Sequence, residues 1–134
     1  MIKLNNIVLT TTDVKTGMSE VIYPSEIVKA AFLNYFDKKD ILYVAPYDGF
    51  SGISVDIQKI AAGIKLENIK FENNQVIATE MEIFSKLPIG QVFGAYCLPE
   101  PDEKLKIGLA GIGKYDFNKE ITEFKLLGIG FEVL

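Results

Sequence analysis

Three kinds of position in this chain hold side chains or backbone that could do chemistry. Glu80 and Glu82, in QVIATEMEIF, lie two residues apart and share one face of an extended strand. Paired carboxylates act as acid and base when burial pushes their pKa values apart. Left in water, the same pair is only the solvated face of a strand, a reading that needs fewer assumptions. Ser19, Ser25, Ser51, Ser54 and Ser85 are potential nucleophiles. The chain has no histidine, so only a lysine could activate them. No Ser-x-x-Lys spacing occurs. The third is LKIGLAGIGKYDF, residues 105–117, where Gly108, Gly111 and Gly113 precede Lys114. A phosphate-binding loop needs such glycines between a strand and a helix, with Ser or Thr after the lysine. Here Tyr115 follows the lysine, the spacing differs, and another strand comes next. The segment therefore reads as a glycine-studded strand that bulky neighbours or a second chain approach closely. Asp48, Asp56 and Asp102 show no cation-loop spacing. Cys97 stands alone among apolar neighbours and reads as a buried structural thiol. These residues assign no catalytic group, no metal ligand and no cofactor contact.

The missing residue types narrow the chemistry further. Histidine, tryptophan and arginine are absent, and every basic residue is a lysine. Ser-His and Cys-His nucleophile systems and most zinc sites are excluded. The bidentate fork that arginine offers to carboxylate and phosphate is missing too. A net charge of −4 argues against a nucleic-acid partner, whose phosphates are met by lysine and arginine. No apolar run approaches the length of a membrane helix, so no membrane partner is expected. The N-terminal MIKLNNIVLTTTD does not read as a signal peptide, which implies synthesis in the cytoplasm. At 134 residues, with 49% apolar and 24% charged, the chain reads as one globular domain over residues 1–134.

The elements that must position these residues follow from periodicity and punctuation. IKLNNIVLT reads as a first strand. YPSEIVKAAFLNYFDKK is the clearest helix, with Pro24 in its first turn and Ser25 as its cap. Ile27, Val28, Ala31, Phe32, Tyr35 and Phe36 recur on one face, placing Phe32 and Phe36 against a sheet. ILYVA is a short strand ended by the turn-rich PYDGFSG. ISVDIQKI, IKLENIKF and QVIATEMEIF are further strands. The second of these changes parity at Asn68, as a bulge or bend would. LPIGQVFGAYCL reads as a second helix, in which Gly90 and Gly94 permit close packing. LKIGLAGIG and EFKLLGIGFEVL flank a KYDFNKE hairpin connection. The sum is an α+β fold: mainly antiparallel strands in meander order, forming a curved sheet or barrel, with two helices.

The second half, "IAAGIKLENIKFENNQVIATEMEIF", "LPIGQVFGAYCL", "IGLAGIG" and "ITEFKLLGIGFEVL", resembles the prohead (capsid-maturation) proteases of tailed bacteriophages, which have the assemblin fold. The resemblance covers about residues 60 to 134. It implies a strand carrying the catalytic serine in a Gly-apolar-Ser pattern, and Ala110 stands at that position. It also implies a histidine in the region of ILYVAPYDGFSGISVDI, where none exists. What the resemblance implies is thus the fold without the protease, with Gly108, Gly111 and Gly113 shaping a strand beside a vacated site.

The resulting expectation is a non-catalytic virion protein, an auxiliary or decoration protein of a phage capsid. Its partners would be capsid protein or copies of itself, in an oligomer or bound to the lattice. The alternatives are a hydrolase using carboxylates or a Ser-Lys pair, and an intracellular binding or inhibitor module. A mean hydropathy of +0.20 is consistent with apolar surface left over for an interface. GIGFEVL is the candidate segment: as an edge strand it would pair with a partner, and otherwise it completes the sheet of its own domain.

Overall fold

The computed structural model describes residues 2–14, 21–52, 54–98 and 100–134. Seven strands and two helices alternate as β1 (Ile2–Thr11), α1 (Ser25–Lys38), β2 (Ile41–Pro46), β3 (Ala62–Lys65), β4 (Ile69–Glu72), β5 (Gln75–Ile83), α2 (Pro88–Cys97), β6 (Leu105–Tyr115) and β7 (Ile121–Val133). The sheet order is β1-β5-β3-β2-β7-β6, with β4 also paired to β5. Every pairing is antiparallel except β2 with β7. The sheet curls until β1 approaches β6, so an α+β fold with a strongly curved sheet stands.

The strand order differs from a meander. β4–β5 and β6–β7 are true hairpins, but β7 returns across the sheet to lie between β2 and β6. GIGFEVL is consequently an interior strand with partners on both sides, so of its two readings the one in which it completes the sheet of its own domain holds. Its buried Ile129 and Phe131, rather than a binding role, account for its apolar run. ISVDIQKI is a second correction. Over its described residues, 54–60, it forms an isolated bridge from Val55 to Phe50 and a one-turn helix at Ile57–Lys59 instead of a strand. Asp56 caps that turn by accepting from the Gln58 N–H at 3.0 Å, a local bond that competes with extended pairing.

The parity change near Asn68 is a one-turn helix at Leu66–Asn68 that separates β3 from β4. Asn73 and Asn74, with φ of 50° and 61°, close the β4–β5 hairpin, the left-handed pair that a two-residue turn requires. The start of α1 is held differently from the expectation. Ser25 caps nothing; its own N–H donates to the Asp13 carboxylate at 3.0 Å, so the anchor comes from the end of β1.

On α1 the buried face is Val28, Ala31, Phe32 and Tyr35, with Ile27 and Phe36 at its margin. Phe32 is fully buried and meets Phe71 edge-to-face at 5.5 Å, whereas Phe36 is half-buried against Tyr35. α2 turns Gly90, Phe93, Gly94 and Cys97 inward, and a Cβ on Gly90 would overlap the Phe84 carbonyl. The close packing read from its glycines is therefore present at Gly90, whereas Gly94 leaves ordinary contact distance to Ile83. Cys97 is buried, which pushes its thiol up to about 11.

Candidate functional site

The glycine strand and its partner make a face of very small residues. In the β6–β7 register Gly108 lies opposite Gly130 and Ala110 opposite Gly128. Strand alternation sends the intervening Ile107 and Leu109, opposite Phe131 and Ile129, into the core, and the four small residues to the other face. Two aromatic rings cover that face. Tyr47, in the turn that follows Pro46, lies over Gly130 with its hydroxyl against Gly108, and Phe50 lies over Gly128. A Cβ at Gly108, Gly128 or Gly130 would overlap one of these rings. Ala110 keeps only 7% of its surface open.

The loop that delivers the rings is tied down by its own backbone. Asp56 N–H donates to the Gly49 carbonyl at 2.7 Å, and Ser51 N–H donates to the Ser54 carbonyl at 2.8 Å. Lys59 reaches Asp48 at 3.7 Å across the loop. Tyr47 keeps 37% of its surface open, yet its phenol is pushed up to about 12. Burial against the glycine face is the main cause, and the Tyr23 phenol and Glu132 carboxylate add to it.

The structure disperses the candidate reactive residues. Glu80 pairs with Lys3 at 3.4 Å with both side chains nearly half open to water, the solvated arrangement. Glu82 lies opposite Lys3 in the β1–β5 ladder, next to that pair. Ser51 and Ser54 bond to each other, Oγ to Oγ at 3.4 Å, and to backbone, with no amine engaged. Ser85 lies in the turn between β5 and α2, its N–H donating to the Ile83 carbonyl. Ser19 lies outside the described residues. Asp48 is taken up by the Lys59 pair, and Asp56 and Asp102 each cap a turn, Asp102 by accepting from the Lys104 N–H at 2.8 Å. Among the described residues no three Cys, Asp or Glu side chains gather as a metal site.

Two groups of residues do come together. The segment in which the resemblance places a histidine supplies Tyr47 and Phe50, and these cover the face that holds Ala110. The sequence reading assigned no role to Tyr47, Phe50, Gly128 or Gly130. A signal was present, since folding GLAG and GIGF into one hairpin sets glycine opposite glycine, and two aromatics stand in PYDGF.

No protein-family model matches the chain, and no curated protein matches it in sequence. Among solved structures, the bacteriophage T4 capsid assembly protease aligns with a TM-score of 0.71. The alignment covers 94% of this chain and 78% of that one, at 17% identity. The chain has the fold of a capsid assembly protease. The likeness reaches well beyond the second half that carries the sequence pattern and takes in β1, α1 and β2. On this fold the arrangement around Ala110 offers a methyl group, three glycines, a partly exposed phenol and a phenyl ring. None of these is a base or an activated nucleophile at neutral pH.

Proposed function

We propose that this chain is a non-catalytic structural protein of a bacteriophage virion, an auxiliary or decoration component of the capsid. The observation that supports this reading is the covered face around Ala110. Where the prohead-protease resemblance sets a nucleophile, this chain has a methyl group under a loop that carries Phe50 and Tyr47. Side chains of the same chain fill that face. With no histidine anywhere, the Ser-His pairing is missing as well. A fold kept without its chemistry serves by what it binds, and the likeness to a capsid assembly protease supports capsid protein or further copies of this chain as the partners. The protein is made in the host cytoplasm and carried in the particle.

Mass spectrometry of purified particles of the phage that encodes the chain tests the role, with the chain expected in many copies per particle. Its absence from particles would remove the structural reading. Fluorophosphonate probes and a panel of peptide and ester substrates test the lack of catalysis. Turnover that survives purification and is lost on changing Ser51, Ser54 or Ser85 would overturn it.

A further inference from the structure

We propose that the groove between α1 and β7 receives the acidic turn at residues 100–103 of a second copy of this chain, making a head-to-tail contact. The groove holds a cavity of about 280 Å³ beside the last turn of α1. Its lining combines apolar Ala31, Tyr35 and Leu126 with Asn34 and the three lysines Lys38, Lys39 and Lys125. Three ammonium groups thus line one cleft in a chain whose net charge is −4. Among the described residues the ion pairs use Lys3, Lys59, Lys70 and Lys114, and none of the three groove lysines has a carboxylate within 4.0 Å. Lys39 instead rests over the Tyr35 ring at 5.4 Å. Asp37 and Asp40 flank this pair in sequence but do not line the cavity.

The matching charge is on the same molecule. Glu100, Asp102 and Glu103 put three exposed carboxylates into four residues, with exposed Pro101 between them to meet the apolar part of the lining. This turn is held before binding: Asp102 N–H donates to the Tyr96 carbonyl at 2.7 Å, and the Asp102 carboxylate accepts from the Lys104 N–H at 2.8 Å. A fixed turn loses little freedom on docking, and opposite charges steer it into place. Because groove and turn are different patches, the contact is heterologous and either closes a ring or propagates. This gives one specific contact to the self-association in the proposed function, yet it stands or falls separately, since a chain absent from virions could still associate this way.

The test is sedimentation velocity at low and high salt on the intact chain and on charge-reversed variants. The expectation is a concentration-dependent oligomer at low salt that dissociates near 1 M salt, where the screening length falls to about 3 Å. Lys38→Glu with Lys125→Glu, and separately Glu100→Lys with Glu103→Lys, should each weaken association about tenfold or more by placing like charges opposite one another. Mixing the two variants should restore a contact between groove and turn of opposite reversal. Should a reversed variant fail to melt like the parent, Lys38→Gln with Lys125→Gln replaces it, and the same loss is expected. A chain that stays monomeric at low salt overturns the proposal, as does an oligomer indifferent to these changes or a mixture that restores nothing. A groove that binds an added acidic peptide while the chain itself stays monomeric also overturns it, and assigns the groove to a different protein.

Discussion

The two halves of the β6–β7 hairpin use glycine for opposite kinds of neighbour. In the half nearer the sheet centre, Gly108, Gly128 and Gly130 make room for Tyr47 and Phe50, side chains delivered by a remote loop. Beyond the register shift between Ala110 and Gly111, where Leu127 is the extra residue, a Cβ on Gly111 would overlap the Lys125 carbonyl of the paired strand itself. Gly113 is crowded by the Glu123 carbonyl and the Phe124 ring in the same way. At Gly108 and Gly130 the first half accommodates a side chain that can move, while Gly128 also meets the Tyr43 carbonyl; the second half accommodates a bulged backbone that cannot move without losing the ladder. One short glycine-rich segment therefore serves a covered site and a strand bend, and composition alone does not separate the two.

The largest effect should come from removing the β7 segment that pairs with the first half. Deleting residues 129 to 134 removes buried Ile129 and Phe131 and the strand between β2 and β6. The truncated chain is expected to lose its cooperative thermal transition. A folded truncated chain would mean that β6 closes the sheet unaided.

Next in size are single methyl additions. Gly111→Ala and Gly130→Ala should each cost about 1–3 kcal/mol in urea melts, as overpacking does. They differ in rescue. Tyr47→Ala should recover much of the Gly130→Ala loss, a coupling of about 0.5–3 kcal/mol in a double-mutant cycle. Phe124→Ala should recover little of the Gly111→Ala loss, because the obstructing atom is the Lys125 carbonyl. Equal rescue in both halves would erase the distinction between side-chain and backbone obstruction.

Much of this architecture was legible in the sequence because local rules coincide with the tertiary outcome. The α1 stripe through Phe32, the Asn-Asn turn, the glycine-permitted α2 and the β6–β7 hairpin each rest on a period or a turn type. What was not legible depends on long-range partners. The parallel β2–β7 pairing carries no local mark, so GIGFEVL could not be told from an edge. ISVDIQKI has strand-like alternation, but the Asp56 cap wins locally and leaves an isolated bridge. For the site, the glycines of GLAGIG announced a close approach without saying to what. Tyr47 and Phe50 meet them only after the loop folds back over the sheet.

A smaller effect reads the covering of the first half directly. The Tyr47 phenol is held up to about 12 mainly by burial, against an ordinary value near 10. Its neutral form is favoured in the fold, so the associated stability is present below pH 10 and is lost as pH rises through 12. A spectrophotometric titration should show Tyr47 ionising late together with Tyr35, which burial also pushes to about 12. Tyr47→Phe should remove one late phenol, and Gly130→Ala, by lifting the ring, should bring that phenol back toward 10. A Tyr47 that titrates normally in the parent chain would mean the ring does not rest on the glycine face in solution.

The smallest expected effect is also the most direct probe of the proposed loss of catalysis. Ala110→Ser puts a hydroxyl where the prohead-protease resemblance sets a nucleophile, and changes volume little. Its stability cost should stay within about 1–3 kcal/mol, the range for a buried hydroxyl that lacks a full partner. The groups placed around this face offer no base: Gly128 lies opposite, Phe50 and Tyr47 cover the neighbouring glycines, and the Tyr47 phenol is itself held neutral. A serine without a base remains a weak nucleophile. Ala110→Ser should therefore neither label with a fluorophosphonate nor turn over peptide or ester substrates. Removing the cover as well, in Ala110→Ser with Tyr47→Ala, should admit solvent to the hydroxyl and still give no labelling, because access was never the sole deficiency. Labelling of the double variant alone would show that the aromatic cover by itself silences the site; labelling of Ala110→Ser would show a base that this geometry does not contain.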